Sequence, residues 1–312
     1  MPTKLETVRA DSREVTGLAL SDVGKVVATA GADNTVKIWR SLKTPAHTLK
    51  GFDRPPRALA FTPNGKSLIV GGFDPEAKNG TVKLFDVETG KLRKSLVVGA
   101  LPVEHMALFD EGRALVAATG FPLNALKVWN IDREEATRTI QLDAHASATA
   151  LAVSPDGKQL AVGLFGSKFC HLVVYDLATG KEIYRAAEKP GVNMPVAIAF
   201  TPDGQTIATS TVGLTKPGEV RLYEAATGKL LGTLGPQRSF CLGFSPDGKM
   251  LATGENLSGR KPGTVDLFDV STRKAMTSLK GHNDGVTNVA FLADGRLCST
   301  SSDGMLILWR LR

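Results

Sequence analysis

Apolar residues along this chain fall in short runs broken by turns of Gly, Pro, Asp, Asn, Ser and Thr, a pattern that predicts strands. The runs are ordered. One unit recurs: an apolar strand, a turn of the type Ser-Pro-Asp-Gly-Lys, a second apolar strand, a loop, a strand ending in an aromatic, then Asp-x-x-Thr-Gly-Lys and a fourth strand. Clear copies of the first turn are Ser154-Pro155-Asp156-Gly157-Lys158 and Ser245-Pro246-Asp247-Gly248-Lys249. Thr201-Pro202-Asp203-Gly204 and Thr62-Pro63-Asn64-Gly65 are close variants, and weaker copies end at Gly24, Gly112 and Gly295. The third-strand aromatic gives an independent count at Trp39, Phe85, Trp129, Tyr175, Tyr223, Phe268 and Trp309.

Both counts give seven units with a period of about 45 residues, the length of a four-stranded propeller blade. A blade cannot bury both its faces alone, so such units must stack in a ring. The predicted fold is all-β: a seven-bladed β-propeller of four-stranded antiparallel blades. Residues 1–312 form one domain on this reading, because a repeat running end to end overrides the prior that length alone would set. The last unit stops at Arg312, soon after Trp309, and so lacks a fourth strand. Glu6-Thr7-Val8-Arg9 resembles the fourth-strand segment Thr277-Ser278-Leu279-Lys280, and residues 4–10 are expected to close the seventh blade and remove an open sheet edge.

With these features placed, the whole chain resembles the WD-repeat β-propeller family, as a divergent member. The strongest segments are Gly31-Ala32-Asp33-Asn34-Thr35-Val36-Lys37-Ile38-Trp39 and, in the last unit, Gly281-His282 with Ser302-Asp303-Gly304 and Trp309. Val97-Val98-Gly99-Ala100-Leu101-Pro102 also resembles the related bacterial propellers with a Tyr-Val-Thr-Asn repeat. The family resemblance implies a buried hydrogen-bonded set within a blade. Only the last blade can complete it, with His282, Ser299 or Ser301, Asp303 and Trp309. Asp11 stands where the first blade would carry its His, and the middle blades have lost the Asp.

Composition is that of an ordinary soluble domain, 42% hydrophobic and 22% charged. The first residues lack the apolar run of a secretory signal, and no stretch is long enough for a membrane span, so a cytoplasmic protein without membrane contact is expected. Three separated cysteines, Cys170, Cys241 and Cys298, fit a reducing compartment and lack metal-ligand spacing. The net charge of +7 is dispersed over every unit, which reads as a solvated surface; nucleic-acid binding is therefore a lesser alternative. The five histidines fall in scattered repeat positions, and Gly65-Lys66-Ser67 lacks the first glycine of a phosphate loop. No metal, cofactor or catalytic residue is assigned, and the chain is read as a non-catalytic, monomeric scaffold. The runner-up is a lactonase-like propeller enzyme with a site at the axis.

A binding face is suggested by loop length. Turn glycine to third-strand aromatic spans 15 residues in the first unit and 14 in the last, but 17 to 20 in the five between. Loops lengthened on one end of a rigid scaffold are where recognition usually sits. Those loops carry Phe73, Phe121 and Phe165 on blades two to four, and Lys216, Arg260 and Lys261 on blades five and six. Arg54, Arg57 and Arg238 enter inner strands from the same end. Aromatic and Arg side chains dominate interface hot spots, so these nine residues are the candidate site for a protein or peptide partner.

Overall fold

The structure is a computed structural model that describes residues 2–21, 23–76, 78–119, 125–144, 146–166, 169–187, 193–213, 218–256 and 261–311. Among these residues the apolar runs form seven antiparallel four-stranded sheets. Blade 1 uses Val15–Ser21, Val26–Gly31, Val36–Trp39 and His47–Leu49, in that order across the sheet. Blade 2 follows with Ala58–Phe61, Ser67–Asp74, Asn79–Asp86 and Leu92–Gly99, and blades 3 to 6 repeat the order from Val103, Ser147, Asn193 and Ser239. First strands of neighbouring blades contact one another around the ring, including those of blades 7 and 1, so they line the axis.

Blade 7 is built from both ends of the chain. Thr3–Arg9 pairs antiparallel with Met305–Arg310, with Thr3 opposite Arg310 and Arg9 opposite Met305, and Lys4 Nζ lies 5.7 Å from the centre of the Trp309 ring. The chain thereby closes as a seven-bladed β-propeller.

The core lies between blades. Val36 and Ile38 of blade 1 pack with Leu68 and Phe85 of blade 2, and Val116 and Leu126 of blade 3 pack with Leu160 and Tyr175 of blade 4. Second-strand residues opposite the aromatic, Leu68, Leu115, Leu160, Ile207, Leu251 and Leu297, are fully buried. Each contributes about 1.5–3 kcal/mol of burial free energy.

The repeated turns are held by their own side chains. Ser154 Oγ donates to Asp156 Oδ1 (2.6 Å), which also accepts from the Lys158 amide (3.1 Å), while the Gln159 amide donates back to Ser154 Oγ (2.9 Å). Gly157 takes φ +71°, where an L side chain is disfavoured. The hydrogen bond from Ser154 and that from the Lys158 amide hold the Asp156 carboxyl below its ordinary value. Such turns need nothing from outside to be stable.

At the other end, the extra residues of blades 2 and 4 prove to be strand and not loop, which corrects the expectation of lengthened loops there. In blade 2 the second and third strands stay paired out to Phe73 opposite Gly80 and Asp74 opposite Asn79; in blade 4 they reach Gly166 opposite Phe169. Small residues allow the hairpin of blade 2 to rise against its neighbour, since a Cβ on Gly71 would meet Val103 Cγ1 of blade 3 at 2.6 Å. In blade 6, by contrast, the strands stop at Glu255 and resume at Thr264.

Candidate partner-binding face and the axial mouth

The first strands do not run evenly into the axis. A β-bulge skips one residue at the same place in six of them: Thr16, Glu104, Thr149, Val196, Phe240 and Thr287. Arg57 holds the equivalent position in blade 2, one residue before the strand begins at Ala58. A bulge re-aims the side chain it carries and twists the strand. Two of these residues tie blades together: Thr16 Oγ1 donates to the Pro56 carbonyl of blade 2, and Thr287 Oγ1 to the Val15 carbonyl of blade 1, each at 2.7 Å.

Arg57, Glu104, Val196 and Phe240, together with Thr16 and Thr287, open onto a cavity of about 510 Å³ at the mouth of the channel, which Glu14, His105 and Asn256 also line over an apolar wall that includes Leu18, Ile198 and Leu242. Arg57 Nε faces Glu104 Oε2 at 3.8 Å across the junction of blades 2 and 3. Both are exposed enough that this pair contributes little to stability. Phe240 is 39% exposed although it lies within an inner strand. His105 keeps some contact with solvent yet sits deep among protein atoms, and burial, reinforced by the Arg57 charge, lowers its pKa to about 4. It is neutral at physiological pH.

The residues singled out from the sequence do not fall in one place. Arg54 lies over the Phe73 ring, 5.5 Å from its centre, and both stand beside the raised hairpin of blade 2. Arg57 lines the mouth, and Arg238 and Lys261 are exposed on the same end. Phe165 pairs with Ser147 at the top of blade 4 and is half-buried. Phe121, Lys216 and Arg260 lie outside the described residues.

Sequence reasoning passed over Phe240, Glu14 and Glu104 in the mouth. Phe240 holds the repeat position of Arg57, so superposing the seven units position by position would have found it. It also missed Lys83, a lysine only 7% exposed. Its Nζ contacts Asp74 Oδ2 at 2.7 Å and the Gly51 carbonyl at 2.8 Å, and lies 5.4 Å from the centre of the Phe52 ring. Lys37 does the same in blade 1, joining Asp33 (3.0 Å) to the Ala10 carbonyl (2.8 Å). Each ammonium fastens the hairpin at the partner end to the segment arriving from the previous blade. The shared runs Val36-Lys37-Ile38-Trp39 and Val82-Lys83-Leu84-Phe85 are the signal that could have shown it.

In blade 7 the same junction is made without a lysine. Trp309 Nε1 donates to Ser299 Oγ (2.8 Å), Ser299 Oγ meets His282 Nε2 (2.7 Å), and His282 Nδ1 faces Asp303 Oδ1 at 3.6 Å. Burial opposes ionisation of Asp303, but His282 and the amides of Asn283 and Met305 outweigh it and bring the carboxyl down to about 2. Among the described residues no group of three His, Cys, Asp or Glu side chains could hold a metal ion. No described helix is long and apolar enough to cross a membrane.

Comparison with known proteins agrees with this geometry. The sequence profile described as "WD domain, G-beta repeat" matches residues 3–40, 43–86 and 273–310. An Arabidopsis thaliana WD repeat-containing protein WDS homolog is 25% identical over 97% of this chain and 57% of its own length. The WD repeat-containing protein slp1 of Schizosaccharomyces pombe is 26% identical over 55% of this chain and 35% of its own. The Dictyostelium discoideum anaphase-promoting complex subunit cdc20 is 30% identical over 49% of this chain, which spans only 31% of that protein. Repeats, ring closure and relatives converge on a seven-bladed β-propeller that carries WD repeats at residues 3–40, 43–86 and 273–310.

Proposed function

We propose that the chain is a non-catalytic scaffold that binds a protein or peptide partner on the end carrying the raised hairpins, around the axial mouth. The observation that carries this reading is the mouth itself: a cavity of about 510 Å³ where an exposed Phe240 and Glu104, each on a bulge, stand with Arg57 at the equivalent position of blade 2. Exposed aromatic and Arg side chains around a concavity are what interface hot spots use. Arg54, Phe73, Phe165, Arg238 and Lys261 extend the surface outwards, with Phe121, Lys216 and Arg260 assigned to it from sequence. Supporting this, one relative is named as a subunit of an anaphase-promoting complex, a name that implies protein partners.

The test is site-specific photo-crosslinking in the native lysate, with a benzophenone amino acid at position 240, 165 or 276. Met276 lies on the outer strand of blade 6 and is 54% exposed. A discrete partner crosslinked from 240 and 165 but not 276, and lost in the Arg57→Glu variant, supports the reading. The same partner captured from 276 alone would sink it.

A further inference from the structure

The seven equivalent inner-strand positions around the mouth are not alike, and their differences are sorted across the axis. On blades 1, 4 and 7 the position holds a threonine whose hydroxyl proton is spent on a backbone carbonyl: Thr16 on Pro56 (2.7 Å), Thr149 on Gly163 (3.1 Å) and Thr287 on Val15 (2.7 Å). The adjacent blades 2 and 3 hold Arg57 and Glu104, and the adjacent blades 5 and 6 hold Val196 and Phe240. First strands follow one another around the ring in chain order, with blade 4 between the two pairs on one side and blades 7 and 1 on the other, so the charged pair faces the apolar pair across the channel. The cavity of about 510 Å³ is therefore two-sided, with Ile198 and Leu242 continuing the apolar wall and His105 next to Glu104.

Its charges limit what can enter. Arg57 opposes a second cation, and the effect is visible on the cavity's own imidazole, since burial and then the Arg57 charge lower the His105 pKa to about 4. Glu14 and Glu104, both half-buried in the lining, oppose an anion. That leaves a neutral group. A purely aliphatic one would suit Val196 and Phe240 but would desolvate Glu104 and His105 without giving them a partner, which costs free energy. With the threonine protons committed, the wall away from Arg57 presents chiefly acceptors: the carboxylates of Glu14 and Glu104 and the lone pairs of Thr16 and Thr287. An indole answers both sides, being neutral and broad-faced, with one N–H and no acceptor to match.

We propose that the partner places one tryptophan side chain in this mouth, with its ring against Phe240 and Arg57 and its N–H directed to the Glu104 side. The proposal rests on the partner-binding reading above and names the group that anchors it. Phe240 supplies an aromatic face, Arg57 a cation over the ring, and Glu104 a charged acceptor for the indole proton. A single large ring in a central concavity is also how interface energy is usually concentrated.

The test is a saturation-transfer NMR titration of the full chain with peptides acetyl-Gly-Ser-Xaa-Ser-Gly-amide, in which Xaa is Trp, Phe, Leu, Arg or Glu. The Trp peptide should bind at least fivefold more tightly than each of the others. Phe240→Ala and Arg57→Gln, both at exposed positions, should each weaken it at least fivefold with Tm unchanged, while Met276→Ser on the outer strand should leave it unaltered. Should a mouth variant fold poorly, the ranking of peptides on the wild type still decides. Arg or Glu binding as tightly as Trp would overturn the neutral occupant, and Phe or Leu doing so would overturn the role of the N–H. Trp binding indifferent to both variants, or absent at millimolar peptide, would overturn the site. A second readout separates this proposal from the broader reading: mass spectrometry of the adduct formed from position 240 in lysate should place the crosslink beside a partner tryptophan. An adduct far from any tryptophan overturns the tryptophan and keeps the partner face, whereas no adduct from 240 or 165 overturns the partner face and this proposal with it.

Discussion

Blades 7 and 3 have the same strands and the same third-strand tryptophan, but only one satisfies it. In blade 7 Trp309 Nε1 donates to Ser299, two residues along the second strand from the position facing the ring. Blade 1 does the same with Trp39 and Thr29 (2.9 Å). In blade 3 that position is Ala117, and the buried Trp129 Nε1 has no acceptor among the described residues. Blades 5 and 6 show the reverse loss: Thr209 and Thr253 keep the hydroxyl, buried and unpartnered, where the aromatic has become Tyr223 and Phe268. Blades 2 and 4 have exchanged both members, to Val70 with Phe85 and Val162 with Tyr175. A hydrogen-bonded pair is worth about 1 kcal/mol, but each half left alone and buried costs about 1–3 kcal/mol. Divergence is therefore tolerable when both partners change and expensive when one does, and blade 3 sits at the expensive stage.

The largest effect should come from the feature that sets blade 7 apart in chain order. Deleting residues 1–10 removes the strand paired with Met305–Arg310 and leaves Leu306 and Leu308 uncovered on one edge. Thermal unfolding should move down sharply, or the protein should aggregate; an unchanged Tm would contradict closure by this strand. Next, Ser299→Ala strands Trp309 Nε1 and His282 Nε2 together, and should cost about 2–4 kcal/mol in urea unfolding. A loss below about 1 kcal/mol would mean the two groups find water instead.

The acid at the end of this chain gives a pH-dependent version of the same contrast. Asp303 is held at about 2, below the 3.8 of an ordinary aspartate, so it binds fewer protons folded than unfolded. Its contribution is fully present above about pH 4 and is lost as pH falls towards 2. Subtracting the stability profile of Asp303→Asn from that of wild type should isolate a difference of about 1 kcal/mol, after allowing for solvent screening, that disappears across that window. A difference that persists unchanged at pH 2 would refute the assignment.

The fold was legible because its signals are local. Ser-Pro-Asp-Gly-Lys turns are satisfied within five residues, and a strand-ending aromatic needs only a flat neighbour, so both recur wherever a blade does. The mouth was only partly legible, because what makes it is a register slip. The bulge that presents Phe240 is a relation between two strands, and nothing in Ser239-Phe240-Cys241 read alone distinguishes a core Phe from an exposed one. Lys83 was missed for a related reason: a lysine in a strand reads as solvated, and only the nearness of Asp74 and the Gly51 carbonyl makes its burial tolerable. Raised hairpins were read as loops because spacing counts residues without saying whether they pair.

Two smaller changes ask whether the middle blades can be moved back along the path of divergence. Ala117→Ser puts a hydroxyl where Thr29 and Ser299 have theirs, and should stabilise the protein by about 1 kcal/mol by giving Trp129 an acceptor. Urea midpoints at constant m would read this, and destabilisation would show that blade 3 has no room for the added oxygen. Thr253→Val approaches the same imbalance from the other side, removing a buried hydroxyl that has no partner and copying the apolar state of blades 2 and 4. Because the group bonds nothing, its loss should range from neutral to about 1 kcal/mol stabilising. If Thr253→Val instead destabilises while Ala117→Ser stabilises, hydroxyls at this position serve the blade without the tryptophan, and the two halves of the pair are not equivalent.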